Sequence, residues 1–407
     1  MMKDSKLKDH RQIGQELDLF SFHDVAPGAV FWHAKGWTIY KTLVEYLRNN
    51  LLKNGYLEIS TPALVKSKLF KQSGHWDFYN ENMFNFKHEK EMYSLKPMNC
   101  PEASLIFSAK KRSYKELPIR FAEFGLLHRN ELSGVLGGAF RVRQFVIDDA
   151  HHFVTTDQIQ KEIHDLLVWS QKFYEDLGFN PEFYLATRPE KAMGDKKLWD
   201  EAEKDLELAL KDSKVKFSVK EKDGAFYGPK IDIHIKDSQN RDWQLATIQL
   251  DFQIPEKMNL NYIDKDGKQK SPVIVHRAVL GSIERFIGIL TEHFQGSFPY
   301  WLSPVQISVL AVSEKHNNFA KKVNFILDEI NIRTELDDSN NTVGSKIRSA
   351  TLQKVPYMLI IGDKEVAKSA KKIEKSNDIF VSIRTREGKD LGFKNLYEFI
   401  QTLKNAN

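Results

Sequence analysis

Residues able to do chemistry gather in one stretch, Pro118 to Phe153, which reads PIRFAEFGLLHRNELSGVLGGAFRVRQFVIDDAHHF. Its pattern predicts a strand from Ile119 to His128, a polar, glycine-containing loop from Arg129 to Ala139, and a returning strand from Phe140 to Phe153. Side chains alternate between the faces of a strand. Arg141, Arg143, Phe145, Ile147, Asp149, His151 and Phe153 therefore share one face, and Val142, Gln144, Val146, Asp148, Ala150 and His152 share the other. Arginines suit a phosphate, an aromatic ring suits a flat ring, and a carboxylate beside an imidazole suits a cation. Arg129 and Glu131 stand across the loop from this row.

Cys100 is the chain's one cysteine, so no disulfide can form within the chain. It follows a strand that closes on Pro97, in a loop that leads into a helix. His151 lies on the functional row, and His276 ends a later strand. No local spacing rule joins the three, but all fall at the mouth of one sheet. One thiolate and two imidazoles with a fourth position open is the donor pattern of a zinc ion that meets substrate.

The hairpin resembles motif 2 of the class II aminoacyl-tRNA synthetases, through Arg129 and Glu131 in HRNE and Arg141 and Phe145 on the return strand. The segment from Trp37 to Pro62, a helix feeding a strand that closes on proline, resembles motif 1, which in that class forms a homodimer interface. PVIVHRAVLGSIERFIGILTEHF, with Arg285, resembles motif 3. The Cys100, His151 and His276 triplet narrows the resemblance to the threonyl-tRNA synthetase family. Matching runs from His10 onward include FWHAKGWT, SGHWD, LKPMNCP, DDAH, RPEK, GAFYGPKI, VPYMLIIGDKEV and RTREGKDLG.

That resemblance implies an α+β catalytic domain on an antiparallel sheet over residues 1–300 and a small α/β anticodon-binding domain over 301–407. It implies a threonine–tRNA ligase, which makes threonyl-adenylate from threonine and ATP with Mg2+ and transfers threonine to the terminal adenosine of tRNA(Thr). Arg129, Arg141 and Arg285 would hold ATP phosphates, Glu131 the adenine amino group, Phe145 the adenine face, with Gln244 and Lys230 nearby. Met98, Arg129, Asp149, Tyr227 and Gln249 would line the amino-acid pocket, with Asp149 taking the hydroxyl proton. His75 would approach the terminal ribose of tRNA, with Arg129, Arg285, His75 and Lys230 forming the catalytic set. Zn2+ would sit on Cys100, His151 and His276, and Asn340, Arg348, Glu365 and Arg384 would face the anticodon. A paralogue that binds tRNA without charging it is the alternative; it would be free to lose Arg129, Arg285 or a zinc ligand, and all are present. Two residues depart from the family pattern: Ile147, where glutamine is common, and Glu102, where glycine is usual. The upstream editing region of familiar relatives has no counterpart in this sequence, so the reading expects serine mischarging, or a separate editing partner.

These residues need elements to position them. Leu43, Val44, Leu47 and Leu51 recur at helical spacing between Trp37 and Leu52. Thr155 and Gln158 make a capping box for a helix that Gly178 ends. Strands follow at Phe183–Ala186, Ile231–Ile235 and Trp243–Phe252, the last with Thr247, Gln249 and Asp251 on one side. A helix is expected from Ala278 to Phe294, with Gly281 and Arg285 on one face. Beyond YWLSPVQ, strands alternate with helices as in a small, largely parallel sheet: strands 305–312, 332–336, 357–361 and 379–384, helices 314–330, 343–353 and 395–403. Of 407 residues, 41% are apolar, enough for a real core. The net charge is +5, and residues 303–407 hold 17 Lys and Arg against 13 Asp and Glu, so most of the excess suits a nucleic-acid partner of the last domain. No run reaches membrane-spanning length and the start does not read as a signal peptide, so a cytoplasmic protein is expected.

Overall fold

A computed structural model describes residues 7–369, 377 and 379–404. The chain divides into two compact units: Phe22–Phe31 with Glu45–Ile289, and the described parts of Met1–Ser21, Trp32–Val44 and Leu290–Asn407. Two helices lead into the first sheet, α1 (His10–Glu16) and α2 (Ala34–Lys53).

The unit that ends at Ile289 is organised on eight strands. These are β1 (Leu57–Glu58), β2 (Ile119–His128), β3 (Gln144–Val154), β4 (Glu182–Ala186), β5 (Phe217–Lys220), β6 (Lys230–Lys236), β7 (Asp242–Asp251) and β8 (Val273–Ser282). They lie in the order β5-β4-β6-β7-β8-β3-β2-β1. Pairing is antiparallel through the middle and parallel only at the two ends, β5 on β4 and β1 on β2. Its longer helices include α3 (Cys100–Ser108), α4 (Ile159–Asp176), α5 (Lys196–Asp212) and α6 (Ile283–His293). The capping box at Thr155 and Gln158 forms as expected, and α4 buries Ile163, Leu166, Leu167 and Phe173. Under α3, Phe107 stacks on Phe153 with ring centroids 4.3 Å apart, and both are fully buried.

Two expectations are corrected. The return strand starts at Gln144 rather than Phe140. Ahead of it the Arg143 N–H donates to Gly28 O, and Arg143 Nε donates to Glu131 O. Arg141 and Arg143 thus precede the strand and are not set by its alternation. The helix expected from Ala278 starts at Ile283, because the residues before it stay in β8 as far as Ser282, which pairs with Ile147. Gly281 has φ +68, which is not helical, so it shares no helical face with Arg285.

In the other unit, β9 (Ile307–Ala311), β10 (Thr334–Asp337), β11 (Tyr357–Ile361), β12 (Phe380–Thr385) and β13 (Asp390–Asn395) form a sheet in the order β10-β9-β11-β12-β13. The first three run parallel and the last two antiparallel. Helices α7 (Asn317–Glu329), α8 (Val343–Leu352), α9 (Asp363–Lys368) and α10 (Leu396–Lys404) complete it. The alternation was legible, whereas α9 and β13 were not. Val309, Val323, Leu327, Leu359, Ile383 and Phe399 lie in its core. This unit also takes in α1, whose His10 Nδ1 meets Glu292 at 2.7 Å in a buried pair. Arg333 Nη2 donates to Trp301 O and Arg386 Nη1 to Phe298 O, fastening the YWLSPVQ segment onto the sheet. No helix among the described residues is long and apolar enough to cross a membrane.

Phe107→Ala removes a buried ring stacked under β3. Urea denaturation is expected to show a loss of about 3–5 kcal/mol.

Candidate active site

A cavity of about 490 Å³ opens on one face of the eight-stranded sheet. β3 supplies Ile147, Asp149 and His151, β7 supplies Leu245, Thr247 and Gln249, and β8 supplies His276. Met98 and Cys100 reach it from the start of α3, and Tyr227 from the loop before β6. The alternation expected on β3 holds. On the opposite face the buried Asp148 pairs with Arg277 at 2.9 Å and accepts the N–H groups of Val279 and Leu280. His152, also turned away, meets Glu162 and Tyr56 Oη, each at 2.9 Å.

At the inner end, the donor atoms of Cys100, His151 and His276 lie within 4.8 Å of one another, all three residues buried. The register explains the pair of imidazoles, since His276 faces His151 directly across β8 and β3. His151 Nε2 is buried with no hydrogen-bond partner, while His276 Nε2 meets Asp251 Oδ2 at 3.0 Å, a carboxylate that can orient the ring. Burial, then His276, holds His151 well below the usual imidazole range, leaving it neutral and able to ligate. Burial also pushes the Cys100 thiol well up, a bias that a bound cation reverses. An orphaned imidazole nitrogen, a buried thiol and borderline-soft donors fit a zinc ion. Asp149 stands beside the set, its Oδ2 accepting from Asn99 Nδ2 at 3.0 Å. Asn99 can lie there because residue 125 is glycine: a Cβ on Gly125 would sit 2.2 Å from the Asn99 side-chain oxygen.

At the outer end the charge is cationic. The Arg129 guanidinium lies 5.1 Å from the Phe145 ring centre, and its Nε donates to Pro97 O. Arg285 Nε donates to Phe140 O at 2.8 Å. Next to it the Glu284 carboxylate accepts the Val146 N–H, which ties α6 to β3 beside Phe145. Burial, then Arg129 and Arg141, hold the Arg285 guanidinium below its usual range. Glu131 pairs with Arg141 at 2.8 Å. Burial pushes Glu284 up to about 8, so three guanidiniums stand against the one ionised carboxylate of Glu131 around an aromatic face, an excess of positive charge suited to a phosphate chain.

Two families match this chain. "tRNA synthetase class II core domain (G, H, P, S and T)" covers residues 84–294, and "Anticodon binding domain" covers 306–404. The threonine–tRNA ligase of Caldanaerobacter subterraneus subsp. tengcongensis is 50% identical over 403 residues, and that of Carboxydothermus hydrogenoformans 47% identical over 402. These alignments take in 99% of this chain but 61% and 62% of the relatives, so the chain spans about three fifths of their length. A crystal structure described as the RNA binding domain of threonyl-tRNA synthetase from Cryptosporidium parvum superposes with a TM-score of 0.93 at 40% identity, covering 98% of each chain. The chain belongs to the threonyl-tRNA synthetase family.

Many of the residues assigned by resemblance to a threonyl-tRNA synthetase site line the cavity, while Glu131, Arg141, Phe145 and Arg285 lie at its cationic end. Met98, Cys100, Arg129, Asp149, His151, Tyr227, Lys230, Gln249 and His276 all line the cavity. Within it, Tyr227 Oη donates to Gln249 Oε1 and Lys230 Nζ to Asp232 Oδ2. His75 is fully buried, with Nδ1 on Ser73 Oγ and Nε2 3.2 Å from Cys100 Sγ, beside the donor set. Burial, then His276 and Lys257, lower it to about 3. Gln244 is exposed and pairs with His234 beyond a bulge in β7, across which the simple alternation of Leu245, Thr247 and Gln249 does not extend. Ile147 gives the cavity an apolar patch. Glu102 is buried at the start of α3 with both carboxyl oxygens unpartnered, and burial pushes it up to about 8. In the other unit Asn340 and Arg348 are exposed, Arg384 is half-buried, and Glu365 is buried, accepting from the Gly362 N–H and Ser382 Oγ. Sequence reasoning passed over Asn99, which the LKPMNCP run contains, and Tyr79, whose ring the Arg129 guanidinium approaches at 5.8 Å.

Gly125→Ala is expected to cost about 1–3 kcal/mol by overpacking against Asn99. Asn99→Ala in the same chain should recover most of that loss, as thermal denaturation of the single and double variants will show.

Proposed function

We propose that this chain carries the catalytic and anticodon-binding parts of a threonine–tRNA ligase, divided at residues 1–300 and 301–407. The observation that carries the reading is the meeting, in one cavity, of the Cys100, His151 and His276 donors and Asp149 with Arg129, whose guanidinium lies over the Phe145 ring. A zinc ion on those donors supplies a Lewis acid that demands two donor atoms, the amino group and hydroxyl of threonine. Asp149 accepts the hydroxyl proton, and Met98, Tyr227 and Gln249 enclose the side chain. Valine has threonine's shape but no hydroxyl, so it is rejected far more strongly than an apolar pocket alone would manage.

Phe145 stacks on adenine, and Glu131, paired with Arg141, takes the adenine amino group. Arg129 and Arg285, with Mg2+, hold the phosphates. The threonine carboxylate attacks the α-phosphorus, the bond to the bridging oxygen breaks, and pyrophosphate leaves. The arginines stabilise charge where it develops. A hydroxyl of the terminal ribose of tRNA(Thr) then attacks the threonyl carbonyl and AMP leaves. Asn340, Arg348, Glu365 and Arg384 face the anticodon. We infer a homodimer through α2 and β1: β1 is an edge strand, and Leu52 and Leu57 beside it are strongly exposed. The cytoplasm is the compartment proposed.

Pyrophosphate exchange with each of the twenty amino acids tests this reading. Threonine is expected to lead, serine to follow within about 10–200-fold because one methyl separates them, and valine to be barely active; no threonine-dependent exchange would sink it. Arg129→Ala should lower exchange by orders of magnitude, whereas Phe145→Ala should act mainly by raising the KM for ATP. The purified chain should hold about one zinc by elemental analysis, and Cys100→Ala should hold none.

A further inference from the structure

β12 and β13 carry a feature that none of the residues assigned to the anticodon accounts for. Phe380 and Phe393 lie on adjacent strands, their rings stacked with centroids 5.5 Å apart and 16° between planes. Both are only partly buried. From α9, Lys364 Nζ sits 4.5 Å from the Phe393 ring centre and Lys368 Nζ 5.7 Å from that of Phe380. Neither ammonium has an anionic partner among the described residues, and both side chains are exposed. Ser382, which pairs with Phe393 across the strands, bonds to Glu365, so the rings continue the row that holds Glu365 and Arg384. Two flat rings under two unpaired cations match a nucleotide in both parts, base to ring and phosphate to ammonium. An exposed cation over a phenyl ring is weakly held, so a base can displace it from the ring while its charge moves to a phosphate.

We propose that Phe380 and Phe393, with Lys364 and Lys368, form a stacking platform for one unpaired base of the anticodon loop, beside the residues that read the anticodon itself. The inference rests on the threonine–tRNA ligase reading, and the occupant is single-stranded RNA. Stacking tolerates any base, so the platform adds affinity and register rather than sequence choice.

The test uses the full chain and a hairpin RNA with the anticodon-arm sequence of tRNA(Thr), plus a set of hairpins each with one loop base removed. Binding is followed by fluorescence anisotropy. In the wild type, removal of one particular loop base should weaken binding about tenfold. In the Phe380→Leu/Phe393→Leu chain, which keeps apolar volume but loses flat rings, the intact hairpin should bind about tenfold more weakly and removal of that base should cost nothing further. Lys364→Ala/Lys368→Ala should flatten the salt dependence by about two charges. Circular dichroism melting confirms that each variant is folded. A wild type that binds the hairpin while the leucine variant binds as tightly, with the same profile of base removal, overturns the platform alone. A wild type that does not bind the hairpin overturns the parent reading and the platform with it.

Discussion

The site depends on one constraint, the two-residue alternation of β3 clamped between β2 and β8. Every odd position from Phe145 to His151 faces the cavity or its cationic rim, and the even positions Asp148 and His152 face the other way. The chain uses the two faces for opposite purposes. On the cavity side Asp149 and His151 are left with few partners. On the other side Asp148 is saturated by a guanidinium and two backbone N–H groups, and His152 by Glu162 and Tyr56. A slip of one residue in register would exchange the two sets and abolish the site.

The polar groups on the far side fix the strands under the cavity. Arg277 neighbours His276 along β8, and Asp148 neighbours Asp149 along β3, so the buried Arg277–Asp148 pair fixes the strand positions on which the donor set and Asp149 stand. The cationic end obeys a different rule. Burial first, then the repulsion of Arg129 and Arg141, depresses Arg285, with Glu131 the nearby counter-charge. Such repulsion is unfavourable in the empty fold and is relieved by a polyanion, which makes the arginine end complementary to phosphate rather than to the protein itself.

Much of this was legible because strand alternation is a local property. The boundaries of β2, the faces of β3 and the capping box of α4 could be read from residue order, and so could the cavity-facing Thr247 and Gln249. What failed needed long-range information. His75 opens a short helix after Gly74, and its packing against Cys100, twenty-five positions on in sequence, could not be read from residue order. The bulge in β7 between Gln244 and Ala246 was not legible either, since only the pairing with β6 reveals it. The helix at Ala278 was anticipated too early because small and apolar residues fit either element, and the pairing of Ser282 with Ile147 decided the matter. Asn99 was invisible because its place depends on the absence of a side chain at Gly125.

The division of β3 into a reactive and a structural face is tested most directly by unfolding free energies of two neighbouring variants, Asp148→Asn and Asp149→Asn, under one set of conditions. Asp148→Asn leaves Arg277 buried without its counter-charge and should lose about 3–5 kcal/mol. Asp149→Asn removes a half-buried carboxylate with a single hydrogen-bonded partner, Asn99, and should leave stability unchanged or slightly raised. Equal losses, or a larger loss at Asp149, would contradict the account.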